Sequence, residues 1–307
     1  MPTAELYGLR LRSALPLPRT RHAAGPADVE IVRGGAAQFS AVRRALRPPL
    51  RSARWFEHRV LADGRRYLRW AGLFEFLVAA DGRCIVARRL PRAAPIPRAF
   101  ETYLLGQVLS FALIARGLEP LHATAVVVGA GAIGFLGDCG RGKSTLGAAF
   151  VSAGHRLLTD DLLVLRDDDG ALLAAAGPAR LKLFRGPARR VLGRGVRGTP
   201  MNDRGGKLVF PLGARGARGP APLRALYVLR PRHGHGVMIR ALSARRAFVE
   251  LTRNTFNACV LDAPRLARQF DLAARVAAAV PVKTLTYPRG FDRLAAVRAA
   301  IEADVSS

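Results

Sequence analysis

Residues 132–150, AIGFLGDCGRGKSTLGAAF, decide the fold. An apolar run ends at Gly137, glycines follow at 140 and 142, and a helix-forming run begins at Lys143. Glycines at these places let the backbone turn with its N–H groups facing inward, and the helix that follows adds the positive end of its dipole. Gly137-Asp138-Cys139-Gly140-Arg141-Gly142-Lys143-Ser144 fits G-x-x-x-x-G-K-[ST] without a mismatch. In that spacing Lys143 reaches the β- and γ-phosphates, and the Ser144 hydroxyl ligates the Mg²⁺ that travels with a nucleotide. Residues 137–145, through Thr145, are therefore the expected nucleotide-binding set, with ATP and Mg²⁺ as cofactors.

Working outward, LHATAVVV at 121–128, a Gly-Ala-Gly turn at 129–131 and AIGFLG at 132–137 read as a β-hairpin feeding the loop. The helix after the loop runs from Lys143 to Ala153, and 156–165 holds another apolar strand with Asp160 and Asp161 inside it. Two adjacent carboxylates in a strand are not both core residues without partners. Their side chains point to opposite faces of a regular strand, so both serve one site only if the strand twists or ends there. The metal needs a hard oxygen ligand and a hydroxyl substrate needs a destination for its proton, and this pair supplies both. The alternative is an exposed strand end with two solvated acids. Asp167, Asp168 and Asp169, ahead of Gly170, are explained by a hairpin turn.

The whole run LHATAVVV…GFLGDCGRGKSTLGAAFVSAGHRLLTDDLLVL resembles the HPr serine kinase/phosphorylase family, whose catalytic domain has a His-led strand, a GDSGxGKS loop and a Gly-His-Arg-Leu segment ending in Asp-Asp. The core likeness covers residues 121–165. A looser one, to stand-alone HPr kinase-like proteins of peptide biosynthetic clusters, takes in YGLRLRS, YLLGQVL, PARLKLF and VPVKTLTYPR. The resemblance implies a mixed α/β chain: a P-loop HPr kinase-like catalytic domain over 98–307, behind a small β-rich N-terminal domain over 1–97. It also implies an ATP-dependent serine kinase whose partner is a peptide or protein bearing an acceptor Ser, such as a lasso-type precursor. Carried over by position, Lys143 and Ser144 bind phosphate and Mg²⁺, Asp161 matches the metal-binding aspartate, and Asp160 matches the aspartate that takes the acceptor's proton. His122 matches the nearby histidine; on residue type alone it reads as a structural histidine opening an apolar strand. Arg180, Lys182 and Lys207 are candidates to steady the transferring phosphoryl group. Cys139 stands where the family has serine, and no glycine-rich signature with an acidic ligand follows in 177–185, so phosphorolysis and HPr as substrate are not implied.

Composition narrows the partners. The 307 residues are 50% hydrophobic, enough for a sizeable core. No apolar run is long enough to span a membrane, and MPTAELYGLRLR has no apolar signal core, so a cytoplasmic protein is expected. Cys84, Cys139 and Cys259 form no CxxC pair, which argues against a disulfide framework or a Cys-based metal site. The net charge of +27 invites a nucleic-acid partner, yet only Lys143, Lys182, Lys207 and Lys283 are lysine among 49 basic residues, and the arginines scatter through Ala, Gly and Pro. That is a compositional bias without a basic stripe or interleaved stacking aromatics, and it counts against nucleic acid. Membrane partners are not expected, and a homo-oligomer is compatible with the composition.

Elsewhere, 28–32, 65–70, 73–79 and 83–90 read as strands, with Ala-Asp-Gly hairpin turns at 62–64 and 80–82 and prolines 91, 95 and 97 closing the region. Residues 98–117 have helical spacing with Gly117 as C-cap. The Gly-, Arg- and Pro-rich span 186–220 reads as a long mobile loop, either a substrate lid or a functionless segment. Strands are expected at 223–230 and 237–243, and helices at 264–279 and 293–303. His155 reads as a helix C-terminal residue and His233 and His235 as a turn. Two other functions fit the same residues: a non-catalytic, nucleotide-gated binding or scaffold protein, and a nucleic-acid-binding ATPase.

Overall fold

A computed structural model describes residues 3–17, 21–22, 24–50, 54–91, 97–202, 205–232, 234 and 236–306. It is a mixed α/β chain that divides into two compact units, Met1–Leu118 with Pro200–Asp203, and Glu119–Thr199 with Arg204–Ser307. Pro95, His233 and His235 lie outside the described residues.

The first unit is built on an eight-stranded sheet. In its second half Phe56–Val60, Arg66–Trp70, Phe74–Val78 and Cys84–Arg89 pair antiparallel in succession; the last three are expected strands, and Phe56–Val60 has no counterpart in the sequence reading. Gly64 and Gly82 take φ of +80° and +71° in the two Asp-Gly turns, a conformation glycine adopts without strain. A helix at Ala36–Ala45, not anticipated from the sequence, buries Phe39 and Val42 against Tyr67 and Leu77. The expected helix of residues 98–117 is present as Pro97–Tyr103, a widened π-type turn at Leu104–Val108, and Leu109–Ala115. It closes as a Schellman motif, with Gly117 N–H donating to Ile114 O and Leu118 N–H to Leu113 O, both at 3.0 Å. The sequence reading ends the first domain at residue 97; the compact units divide after Leu118, because this buried helix goes with the first sheet.

In the second unit, the expected hairpin forms as Leu121–Val128 and Gly131–Leu136, with a tighter turn than the sequence reading gave it, since Gly131 already pairs with Val128. Gly131–Leu136 then runs parallel to Ala221–Arg232, which runs parallel to Val282–Pro288. A strand buried on both faces reads as an unbroken apolar run, and every residue of Gly131–Leu136 is buried. Alternation along Ala221–Arg232 sends Leu226 and Val228 to one face and Ala225, Tyr227 and Leu229 to the other. The first face packs against helices Ala244–Arg253 and Ala263–Ala279, through Leu251, Leu272 and Val276. The second packs against Lys143–Ser152 and Leu294–Ser306, through Leu146, Phe150, Val297 and Ile301. Helix Ala244–Arg253 has no counterpart in the sequence reading.

Residues 186–220 are not a structureless loop. They include most of a helix at Arg185–Val191 and a strand at Lys207–Pro211 that pairs antiparallel with Arg180–Phe184. Leu208 and Phe210 bury into the core beside Phe150, and that burial outweighs the turn-rich composition around them. The apolar run of 156–165 is likewise not one strand: it is Arg156–Thr159, Leu162–Leu163 and the start of Leu165–Asp168, broken at the aspartate pair. Among the described residues no helix is long and apolar enough to cross a membrane.

Candidate active site

The glycine loop leaves the central sheet at Leu136 and enters the helix at Lys143. Gly137, Gly140 and Gly142 have φ of +138°, +81° and +100°. Gly142 is restricted twice over, since a Cβ there would lie 2.9 Å from the Tyr287 hydroxyl, which donates to Arg141 O at 2.8 Å. Burial pushes the Tyr287 hydroxyl up to about 12, so it stays protonated as the donor. Asp138, Cys139 and Gly140 are exposed and Thr145 is half-buried in the first turn of the helix. Lys143 is buried, and its ammonium turns onto the loop's own carbonyls, Gly137 O and, at 3.2 Å, Asp138 O. Burial lowers its pKa, while the charges of Asp161 and Asp160 oppose the shift.

The aspartates sit where the strand ends, an arrangement that lets neighbours in sequence face one site. Asp161 has φ of +78°, and Thr159 Oγ1 bridges the break by donating to Leu162 O at 2.7 Å. Asp160 is buried, and its Oδ1 accepts from Thr124 Oγ1 at 2.6 Å and from Ser144 Oγ at 2.9 Å. Its Oδ2 accepts from Lys182 N–H at 2.9 Å. Asp161 pairs through Oδ2 with the Lys182 ammonium. Burial, and then the Asp161 charge, push the Asp160 carboxyl above its ordinary value. Burial also acts to raise Asp161, but the Lys182 ammonium, with help from His122 and Lys207, more than reverses it and holds that carboxyl at about 2.

His122 pairs with Leu162 of the adjoining strand Leu162–Leu163, and its neighbour Ala123 donates its N–H to Asp161 O at 3.2 Å. Burial and the Lys143 ammonium push the imidazole down to about 4, so it is neutral at pH 7, and its ring centroid lies 5.5 Å from that of Phe256. The candidate cations divide. Lys182 joins the carboxylates directly, and Lys207 acts through its charge on Asp161 and His122 while its ammonium lies 5.8 Å from the Phe184 ring centroid. Arg180 is buried at the start of the Lys182 strand.

The sequence reading missed Thr124, Tyr287 and Asn254. Thr124 lies two residues beyond His122 on the same strand, where period-2 alternation puts both on one face. Asn254, whose Oδ1 accepts the Gly137 N–H at 2.8 Å, comes from a helix end with no local mark of function.

Ser144 Oγ and the Asp160 carboxylate are hard oxygen donors side by side, which fits Mg²⁺. Among the described residues no group of three or more His, Cys, Asp or Glu side chains could hold a metal ion. A metal here would take few protein ligands and complete its shell with phosphate oxygens and water, as Mg²⁺ does.

No protein-family model and no curated protein matches the chain. Among solved structures it is similar to the HPr(Ser) kinase/phosphatase from Coxiella burnetii, at 11% sequence identity and a TM-score of 0.33, over 61% of this chain and 97% of that chain. A likeness that loose carries nothing about the site, whose chemistry is read from its own geometry.

Proposed function

We propose that this chain is an ATP-dependent serine kinase acting on a peptide or protein. The observation that carries the reading is the junction of the two motifs. The Ser144 hydroxyl, next to the phosphate-seeking Lys143, lies 2.9 Å from Asp160, with Asp161, Lys182 and neutral His122 alongside. A simple phosphate-holding loop has no need of an aspartate pair, one buried and one half-buried, at its mouth.

In this reading the loop amides and Lys143 hold the β- and γ-phosphates, and Lys143 exchanges its loop carbonyls for phosphate oxygens. Mg²⁺, when bound, neutralises charge on the β- and γ-phosphates. Asp160 is already committed to Ser144, Thr124 and the Lys182 amide, so we assign it with Ser144 to the metal side. Asp161, at the strand break beside His122, faces the acceptor. This exchanges the two roles that the family resemblance implies. The acceptor oxygen attacks Pγ, the Pγ–O bond to the β-phosphate breaks, ADP leaves, and the hydroxyl proton passes to the Asp161 carboxylate. Lys182 and Lys207 balance the charge that accumulates on the carboxylates and the transferring group.

The finer acceptor class, a ribosomally made precursor of lasso type, rests on the resemblance of residues 121–165 and the looser matches around it. The test is incubation with MgATP and such precursor peptides, read by mass spectrometry. The expected product carries one added phosphoryl group on a serine. Tight MgATP binding without transfer to any peptide or protein would favour a nucleotide-gated scaffold instead.

A further inference from the structure

Asn254 ties together three parts of the second unit. It caps helix Ala244–Arg253, and its side-chain N–H donates to Glu250 O at 2.8 Å. Its carboxamide oxygen accepts the buried Gly137 N–H at 2.8 Å, at the point where the glycine loop leaves its strand. Its main-chain carbonyl accepts the His122 N–H at 2.6 Å. One residue thus meets both the first amide of the phosphate loop and the backbone of the histidine that flanks the aspartates.

The segment after Asn254 is held as firmly. Thr255 bridges to Leu121, and Phe256 N–H donates to Pro120 O at 2.8 Å. Beneath it lies Arg265, fully buried. Its guanidinium donates to Asn257 O and Val260 O at 2.6 Å each, to Phe256 O at 2.7 Å, and to Glu119 Oε2 at 2.9 Å. A guanidinium presents its donors in a rigid fork, so filling them from three carbonyls and a carboxylate fixes the course of residues 256–260. Asn254 therefore projects from a braced base.

We infer that Asn254 is a positioning residue of the nucleotide site. Its carboxamide fixes where the phosphate loop begins, and its carbonyl fixes the His122 strand at a set spacing from that loop. The inference rests on the proposal that the loop binds MgATP. Engaged by Asn254, the Gly137 amide is withdrawn from the anion cradle, which leaves the amides nearer Lys143 to meet phosphate. Without it a buried donor is unpaired, and the loop relaxes to satisfy it by another turn. A cradle preorganised for phosphate is then lost at its root.

The experiment uses the full chain and isothermal titration with MgATP, comparing wild type, Asn254→Ala, Asn254→Asp and a control, Thr252→Ala, whose hydroxyl only back-bonds its own helix at Phe248 O. Asn254→Ala is expected to weaken MgATP binding by about tenfold or more. Asn254→Asp keeps an acceptor for the Gly137 amide but loses the donor to Glu250 O, and should fall between it and wild type. Thr252→Ala should bind as wild type does. Melting temperatures without nucleotide separate a structural role: if both Asn254 variants melt lower yet bind MgATP within twofold of wild type, the inference is overturned. Hydrogen exchange on the wild-type protein keeps the test alive should the variants not fold. A slowly exchanging Gly137 amide is expected, and a freely exchanging one overturns the bond. If the wild type itself binds no MgATP, the kinase proposal falls and takes this inference with it.

Discussion

Asp160 and Asp161 show how far apart two adjacent identical residues are driven by what touches them. Asp160 accepts three hydrogen bonds and is raised by burial and its neighbour's charge, whereas Asp161 is held at about 2 by Lys182. Coupled carboxylates at a transfer site are where divided roles are found. Asp161→Asn is expected to lower kcat by about 10²–10⁴-fold, the usual reach of a positioned proton acceptor, with MgATP affinity within a few fold. Asp160→Asn should act on the metal side: the Mg²⁺ concentration needed for half-maximal activity rises about tenfold or more, since a charged oxygen ligand is replaced by a neutral one. Mg²⁺ titrations of initial rate at saturating ATP check both. The opposite pattern would return the pair to the roles that the family resemblance implies.

At the scale of elements, Lys207–Pro211 is the test of how composition misleads. Its surroundings are rich in Gly, Arg and Pro, yet Phe210 is 3% exposed and packs in the core beneath the loop helix. Phe210→Ala should cost about 3–5 kcal/mol, measured by calorimetry of the full chain, where a solvated lid would lose next to nothing. The glycine loop was legible because its signature is local: the glycines, Lys143 and Ser144 fall within one turn and the start of one helix. The hairpin at 121–136 was legible from its two apolar runs and glycine turn. Strand Lys207–Pro211 was not, because its partner Arg180–Phe184 and the core it enters lie outside any sequence window. Asn254 was not, because the amide it serves is at Gly137, and nothing in TRNTF distinguishes a site residue from an ordinary helix cap. The break at Asp160–Asp161 falls between: the residues mark a site, but only the +78° φ of Asp161 shows how both can face it.

For the whole molecule, stability against acid follows from a half-buried histidine of the first unit. His58, on strand Phe56–Val60 of the first unit, packs against Phe111 with the rings tilted and their centroids 4.8 Å apart, and its Nε2 has no hydrogen-bond partner among the described residues. Burial, reinforced by the charges of Arg66 and Arg59, pushes it down to about 4 from an ordinary value of 6.5. Between those two values the unfolded chain binds the proton and the folded one does not, so stability rises with pH across the window. It is whole above pH 6.5 and is progressively lost as the pH falls toward 4. Allowing for the partial exposure of the ring, the loss is about 2 kcal/mol. Both tryptophans of the chain, Trp55 and Trp70, belong to this unit, and Trp70 is buried against Phe56 and Tyr103, so tryptophan fluorescence follows this unit's unfolding by itself. Urea titrations at pH 7 and pH 4.5 should show the midpoint falling in wild type. In His58→Phe, which keeps the ring and removes the proton site, most of that fall should vanish. An unchanged fall in the variant would overturn the assignment to His58, and carboxylate pairs such as Asp28 with Arg10 would not supply it, because Asp28 titrates below its ordinary value of 3.8 and its contribution is lost only below that pH.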